Sequence, residues 1–231
     1  MTDDPARVAA VAAALQHVEA GMTVGLGSGR ATFAFATALG NKWAGEVPVR
    51  AVVASRITEK FARDAGVPIV DLDEAGSVDM AFDGADEVDP ELAMIKGGGA
   101  ALLREKLVIA AADHVVIMVE EPKQVDRLGS TRLLPVEIIR FGWKSTQRRV
   151  QAISGEATLR LADDGAPVIT DEGHYLLDVP IPPGNVRDFG DRLKAVLGAV
   201  DHGLFFDVAD LVIVGHSDGS LTTLSKAVPI S

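Results

Sequence analysis

Apolar residues along the first half of the chain fall into two alternating patterns. Short apolar runs predict buried strands, and apolar residues spaced three or four positions apart predict helices. The runs that predict strands are Met22–Leu26, Val49–Val53, Ile69–Val70, Met80–Phe82 and Val115–Val119. The helical spacing covers a segment that begins at Pro5 and ends before Gly21, and then Thr32–Leu39, Thr58–Ala65 and Ala100–Ala112. Strands that alternate with helices predict a mainly parallel sheet covered on both faces.

The first helix has a clear start signal. Asp4 is a suitable N-cap, and Pro5 is favoured at the first helical position. The apolar residues expected on its buried face are Val8, Val11, Leu15 and Val18.

From about Leu133 the order of elements changes. Strands are expected at Leu134–Ile139, Ala157–Leu161 and His174–Val179, and helices at Ser145–Ile153 and Val186–Val200. This β-α-β-β-α order is typical of a ferredoxin-like α+β unit. The chain then returns to the first sheet through Leu211–Val214. We therefore expect one domain from residues 1–130 with 205–231, and a smaller α+β domain inserted at 131–204.

The composition excludes several classes of protein. The chain has 231 residues, 48% of them hydrophobic, a formal net charge of -11 and no cysteine. It is too apolar to be disordered, and it cannot form disulfides, thiolate metal sites or a cysteine nucleophile. The acidic balance argues against nucleic-acid binding. No segment approaches the roughly 20 apolar residues that cross a bilayer. Met1–Arg7 is acidic where a signal peptide would be basic, so a cytoplasmic protein with no membrane partner is expected.

A glycine-rich loop, Gly25–Arg30, joins the first strand to the second helix. Free N–H groups at such a helix start favour an anion, although a tight turn explains the glycines equally well. A dinucleotide fingerprint would need Gly or Ala in place of Arg30, and Glu46 lies before the next strand rather than at its end. NAD binding is therefore disfavoured, while phosphate binding stays open.

An acidic loop, Asp83–Pro90, follows the strand at Met80–Phe82 and contains four acids. A single Asp is often only a turn former. Four clustered carboxylates repel one another, which favours a function for them. This end of a strand is where open α/β sheets bind ligands. The spacing differs from that of a calcium loop. Binding of a hard cation and acid–base chemistry on a polyol both stay open.

The next candidates are Lys96–Gly99 and Glu105. Three consecutive glycines indicate unusual dihedral angles or close approach to a ligand, and the alternative is a flexible linker. Lys96 would stabilise an oxyanion or balance the acidic loop. The residues three and four positions from Glu105 are apolar, so its carboxyl group is expected to be desolvated and its pKa raised toward that of a general base. An ion pair explains Glu105 taken alone, whereas the adjacent Lys-Gly-Gly-Gly loop favours catalysis.

The remaining signals are weaker. Lys123 follows the strand Val115–Val119 and could meet a phosphate, although a lone surface lysine is usually solvated. Gly215–Gly219 matches a nucleophile-elbow pattern, but no histidine follows His216, so we interpret it as a Ser-Asp-Gly turn. The five histidines lack the spacing of metal ligands, and no bound metal is expected.

Together these residues resemble the ribose-5-phosphate isomerase type A family. The resemblance covers nearly the whole chain, is densest in Asp83–Glu87, Lys96–Lys106 and Lys123–Val125, and is weaker in Leu134–Glu137 and Val212–Gly219. It implies interconversion of ribose 5-phosphate and ribulose 5-phosphate, a step of the pentose phosphate pathway, without metal or organic cofactor. It also implies a Rossmann-like domain with a smaller α+β domain that takes part in forming a homodimer or homotetramer.

The resemblance also implies a role for each matching residue. Glu105 is expected to be the general base between C2 and C1, and Asp83 and Asp86 to bind sugar hydroxyls and help open the ring. Lys96 would stabilise the enediolate oxygen, and Lys123 would bind the phosphate or a sugar oxygen. The expected substrate-binding residues are Ser28, Gly29, Arg30, Ala31, Thr32, Asp83, Gly84, Ala85, Asp86, Lys96, Gly97, Gly98, Gly99 and Lys123.

The chain departs from the family in the phosphate loop. The family usually reads Gly-Thr-Gly-Ser-Thr, whereas this chain has Gly-Ser-Gly-Arg-Ala at Gly27–Ala31. Our hypothesis is that Arg30, with Arg56, replaces the lost hydroxyl contacts by a bidentate grip on phosphate. An isomerase of another aldose phosphate therefore stays open. A sugar-phosphate sensor module is the other alternative, but no basic helix-turn-helix precedes Pro5 and a sensor would not need Glu105.

Overall fold

The computed structural model describes residues 4–43 and 46–225. The first three residues of the acidic N-terminus and the last six of the expected first domain lie outside these ranges. The helices are α1 (Pro5–Ala14), α2 (Arg30–Asn41), α3 (Arg56–Asp64), α4 (Leu72–Ala75), α5 (Leu102–Ala110), α6 (Trp143–Ser154) and α7 (Val186–Lys194). The strands are β1 (Thr23–Leu26), β2 (Arg50–Val53), β3 (Val78–Gly84), β4 (Glu87–Val88), β5 (Met94–Ile95), β6 (Ala112–Glu120), β7 (Leu134–Ile138), β8 (Thr158–Leu159), β9 (Tyr175–Val179), β10 (Ala199–His202), β11 (Leu204–Phe205), β12 (Leu211–Gly215) and β13 (Leu221–Ser225).

A six-stranded sheet in the order β13-β12-β6-β3-β1-β2 organises the larger part of the molecule. Its strands are parallel except β13, which pairs antiparallel with β12. Side chains of α1, α2 and α3 form an apolar core with one face of the sheet, and those of α4 and α5 form another with the opposite face. In the first core Phe35 stacks on Phe82, with ring centroids 4.3 Å apart. The predicted α/β class is confirmed.

A separate four-stranded sheet in the order β10-β7-β9-β8 is antiparallel throughout. Helices α6 and α7 contribute Val150 and Leu193 to its buried core. The predicted β-α-β-β-α order is present, but the helix expected at Val186–Val200 ends at Lys194 and is followed by β10. The chain turns between them through Gly198, whose φ is 99°. The domain boundaries proposed from the sequence remain a prediction.

The buried face of α1 differs from the expected one. Val8 is 51% exposed, and the small residues Ala6, Ala10 and Ala14 are buried with Val11. The reason is the close approach of α1 to β12, where a Cβ at Gly215 would lie 1.9 Å from the carbonyl oxygen of Ala6. Larger side chains would hold the helix away from the sheet.

Other expected elements are shorter. Ile69–Val70 forms only an isolated bridge from Ile69 to Ala51, not a strand. The helix expected at Ala100–Ala112 is α5, Leu102–Ala110, because Ala100 has a positive φ of 62° and β6 begins at Ala112. Within the described ranges, none of the helices is long and apolar enough to cross a bilayer.

Candidate active site

A cavity of about 310 Å³ opens at the carboxyl ends of β1 and β3. All of the expected site residues line it except Thr32 and Asp83, which are buried at its edge. The lining residues are Ser28, Gly29, Arg30, Ala31, Phe33, Ile57, Gly84, Ala85, Asp86, Lys96, Gly97, Gly98, Gly99, Glu105, Lys123 and Arg132. The structure thus brings residues that lie far apart in the sequence into one cavity.

Three buried ionisable side chains form the charged centre of the site. Lys96 Nζ lies 2.6 Å from Asp83 Oδ2 and 3.5 Å from Glu105 Oε1. It also donates a hydrogen bond of 2.6 Å to the carbonyl oxygen of Gly84. Burial lowers the pKa of Lys96, but the two carboxylates outweigh burial and the pKa is raised overall. Lys96 is therefore a cation throughout the physiological pH range.

Glu105 has the perturbed titration expected of a general base. Burial raises its pKa, the nearby Lys96 lowers it, and the acids Asp83 and Asp86 raise it further, to about 8. Its Oε2 atom is buried and has no hydrogen-bond partner among the described residues. A carboxylate oxygen that is desolvated and unpartnered beside a cavity is available to accept a proton from a bound molecule.

Asp83 ties the glycine-rich loop to the end of β3. Its Oδ1 atom accepts hydrogen bonds from the backbone N–H groups of Ser28 and Gly84, at 3.2 Å and 2.7 Å, and from the Thr32 hydroxyl at 3.2 Å. A Cβ at Gly27 would lie 1.8 Å from the carboxyl carbon of Asp83. Glycine is thus required at position 27 because the backbone lies directly against this carboxylate.

The Lys-Gly-Gly-Gly loop is held from two sides. The N–H of Gly98 donates a hydrogen bond of 2.7 Å to Asp86 Oδ2. Arg160 Nη1 donates to the carbonyl oxygens of Gly97 and Gly98, at 2.9 Å and 3.2 Å. Gly97 has a φ of 102°, a conformation that other residues rarely adopt. This loop is a fixed structure rather than a flexible linker.

The opposite wall is the start of α2. Gly29, with a φ of 131°, precedes the first turn, where unpaired N–H groups and the helix dipole favour an anion. Arg30 is exposed at the cavity. Lys123 also lines the cavity, but its ammonium group lies 3.0 Å from Glu120, which accepts a hydrogen bond of 2.8 Å from Arg7.

Comparisons with known proteins agree with this geometry. A family model described as ribose 5-phosphate isomerase A (phosphoriboisomerase A) matches residues 50–219. A ribose-5-phosphate isomerase A from Cereibacter sphaeroides is 40% identical over 228 residues, which cover 95% of this chain and 90% of that protein. This chain belongs to the ribose-5-phosphate isomerase A family.

Other members of the family are similar along their whole length. The ribose-5-phosphate isomerase A of Maricaulis maris is 44% identical over 218 residues, covering 90% of this chain and 92% of its own. The solved ribose 5-phosphate isomerase A of Methanocaldococcus jannaschii has a TM-score of 0.89 at 33% identity and covers 98% of this chain and 100% of its own. A D-ribose-5-phosphate isomerase in complex with phospho-erythronic acid has a TM-score of 0.88 at 34% identity, and the match covers 95% of this chain and 97% of that chain.

Arg56 lies outside the cavity of this family member. Its side chain is 75% exposed and its Nε lies 3.8 Å from Asp171 Oδ1, while its backbone N–H donates a hydrogen bond of 2.9 Å to Asp171 Oδ2. It lines a separate surface cavity with Arg63 and Arg104. The hypothesis that Arg56 joins Arg30 in the phosphate grip is therefore wrong, because Arg56 does not line the cavity that Arg30 lines.

Three residues of the cavity wall were missed by the sequence analysis: Phe33, Ile57 and Arg132. Phe33 lies in the first turn of α2, so the helix start that suggested an anion site would have indicated it, and Ile57 lies beside Arg56 in the first turn of α3. Arg132 has no comparable signal in the sequence.

The segment that resembles a nucleophile elbow is the turn between β12 and β13. The ring of His216 lies 2.8 Å from the Thr222 hydroxyl, and Asp218 accepts a hydrogen bond of 2.9 Å from the N–H of Ser220. These contacts are those of a turn. In the part of the chain that the structure describes, no three His, Asp or Glu side chains are grouped to hold a metal ion.

Proposed function

We propose that this chain interconverts D-ribose 5-phosphate and D-ribulose 5-phosphate through an enediolate, with no metal or organic cofactor. The observation that carries the proposal is the unpartnered Oε2 atom of Glu105, beside Lys96, in a cavity that has an anion-binding helix start on its other wall. Family membership supports the same reaction.

The proposed chemistry is a proton transfer between adjacent carbons. Glu105 removes the proton from C2 of the open-chain aldose, and the C1 carbonyl becomes the enediolate oxygen. Lys96, already fixed by Asp83 and the Gly84 carbonyl, stabilises that oxygen. Glu105 then returns the proton to C1. The proton of the C2 hydroxyl moves to O1, so that C2 becomes the carbonyl carbon of the ketose. Preorganised donors of this kind lower a barrier by about 3 to 4 kcal/mol each.

The remaining expected roles concern binding. Asp83 and Asp86 are proposed to bind sugar hydroxyls during ring opening, and the wall formed by Ser28–Thr32 to bind the phosphate. Arg30 supports this assignment, because it lines the cavity and its side chain has no carboxylate partner among the described residues. The relative in complex with phospho-erythronic acid holds a phosphorylated sugar acid, which is consistent with a phosphate site in this family.

A direct assay tests the proposal. Ribulose 5-phosphate formation from ribose 5-phosphate is measured in EDTA for the wild type, Lys96→Met and Arg30→Ala, with the exposed Arg148→Ala on α6 as the charge-matched control. We expect loss of turnover in Lys96→Met and a raised KM in Arg30→Ala. A wild type that binds ribose 5-phosphate without converting it would support the sensor alternative. Preferential conversion of erythrose 4-phosphate over ribose 5-phosphate would indicate that the substrate is another aldose phosphate.

We also propose self-association through the smaller sheet. Phe141 is 91% exposed and Leu197 79% exposed, and they lie on adjacent loops because the N–H of Ile139 donates a hydrogen bond to the carbonyl oxygen of Gly198. Exposed apolar side chains grouped in this way are typical of protein interfaces. This supports the expected homodimer or homotetramer and a role for residues 131–204 in forming it.

A further inference from the structure

Four cationic side chains line the cavity, and they differ in their partners. Lys96 is paired with Asp83 and Glu105, and Lys123 with Glu120. Arg30 and Arg132 have no carboxylate or hydrogen-bond partner for their side chains among the described residues. In a chain with a net charge of -11, a cation left without a counter-ion at a cavity is available to bind an anion.

Arg132 reaches the cavity from a part of the chain unrelated to the glycine-rich loop. It lies between the turn at Glu121–Lys123 and β7, in a loop with no regular structure of its own. A loop of this kind holds a side chain in place only if other groups fix its backbone.

The group that fixes the loop is Glu87. This carboxylate is completely buried on β4, and both of its oxygens are used. Oε1 accepts hydrogen bonds from the N–H of Thr131 at 2.6 Å, the Thr131 hydroxyl at 2.7 Å and the N–H of Arg132 at 2.8 Å. Oε2 accepts one from the N–H of Gly129 at 2.6 Å. Hydrogen bonds to a carboxylate are short and strong, so this contact holds the backbone of residues 129–132 rigidly.

A packing contact adds to this restraint. Gly129 has a φ of 84°, and a Cβ there would lie 2.9 Å from Ile181 Cβ. The loop therefore passes between Ile181 and Glu87, and Arg132 is the last of the residues that donate to Glu87. Four hydrogen bonds offset the cost of burying the Glu87 carboxylate, and all four donors belong to residues 129–132.

We propose that Arg132 binds the anionic end of the substrate and that Glu87 is the positioning residue for it. The inference rests on the proposed function, since it assigns the second guanidinium of that same cavity to the phosphate group. Arg30 on the helix start and Arg132 on the clamped loop come from two independent segments. A planar guanidinium suits a phosphate because it donates two parallel hydrogen bonds.

The kinetic experiment compares Arg132→Ala and Arg132→Lys with the wild type and with Arg148→Ala, which removes the same charge from the exposed surface of α6. Loss of a charged hydrogen-bonded contact is expected to raise KM for ribose 5-phosphate by about 10- to 100-fold. The value of kcat should change little, because the contact is the same in the ground state and transition state. Arg132→Lys should recover part of the KM, and Arg148→Ala should match the wild type.

A second measurement separates this inference from the proposed function. Binding of inorganic phosphate, followed by calorimetry, needs no turnover and should weaken in Arg132→Ala by a similar factor. An inactive wild type whose phosphate affinity still depends on Arg132 would refute the isomerase but keep the anion site. An active enzyme in which Arg132→Ala changes neither KM nor phosphate affinity would overturn the inference alone.

The role of Glu87 is tested by Glu87→Gln, which keeps the shape but places a donor opposite one of the N–H groups. The variant should raise KM, and the effect should be absent when Arg132→Ala is already present. Thermal unfolding is followed in parallel to confirm that the chain is folded. If the two changes raise KM independently, or if Glu87→Gln lowers kcat without raising KM, Glu87 does not act through Arg132.

Discussion

Replacement of Glu105 by Gln removes the ionisable group and keeps the shape of the side chain. The pKa of Glu105 rises from its usual 4.5 to about 8 in the folded chain, chiefly because the carboxyl group is buried. An acid with a higher pKa in the folded state keeps its proton there after the unfolded chain has lost it. The wild type therefore loses stability as pH rises from the unfolded to the folded pKa, and Glu105→Gln does not.

The expected magnitude follows from the pKa difference. At 1.36 kcal/mol for each pH unit, the wild type should lose on the order of 3 kcal/mol relative to Glu105→Gln between about pH 5.5 and about pH 8. For a chain of this length that corresponds to a relative change in Tm of about 6 to 12 °C. Differential scanning calorimetry of both proteins across this range measures it. Glu156→Gln, at an exposed glutamate, is the matched control and should follow the wild type.

The same titration governs catalysis. A general base acts only when ionised, so kcat/KM should rise with pH up to about 8. Above this pH, where the wild-type carboxylate is ionised, the rate of Glu105→Gln should be about 10² to 10⁴ lower. A stability difference that does not change with pH would refute the raised pKa. A variant that keeps most of the activity would refute the role of Glu105 as the base.

Two further predictions concern the backbone and the assembly. Gly27→Ala should displace the Asp83 carboxylate, lower kcat/KM by about 100-fold and cost about 1 to 3 kcal/mol of stability; near-normal kinetics would contradict the steric reasoning. The wild type should sediment as a multiple of its 24.2 kDa chain, and Phe141→Ser combined with Leu197→Ser should yield monomers, whereas a monomeric wild type would remove the case for this interface.

The sequence predicted the parts of the fold that depend on local pattern. Alternating apolar runs and amphipathic segments located most of the parallel strands and the helices between them. The apolar neighbours of Glu105 indicated a desolvated carboxylate, because residues three and four positions apart share a helix face. The structure places this carboxylate in the interior.

Features that depend on distant partners were not predictable in the same way. The two-residue strands β4, β5 and β11 pair across as many as a hundred or so positions and carry no periodicity. Arg56 and Arg132 are both arginines in or beside loops, yet Arg56 lies beside Asp171, outside the cavity, whereas Arg132 lines the cavity and its backbone N–H donates to Glu87. Val8 is exposed because the small residues Ala6, Ala10 and Ala14 face the sheet where α1 approaches β12 closely. Each outcome is decided by a neighbour remote in sequence.

The buried group of Asp83, Lys96 and Glu105 has a consequence for how the interior responds electrically during turnover. With Glu105 ionised, two negative charges and one positive charge lie within a few ångströms of one another. In the proposed proton transfer, Glu105 becomes neutral as the substrate oxygen becomes negative, so the total charge of the region is conserved and only its centre moves. No counter-ion has to enter or leave, and the surrounding dipoles need little reorientation. The proton transfer therefore leaves the net charge of this part of the interior unchanged.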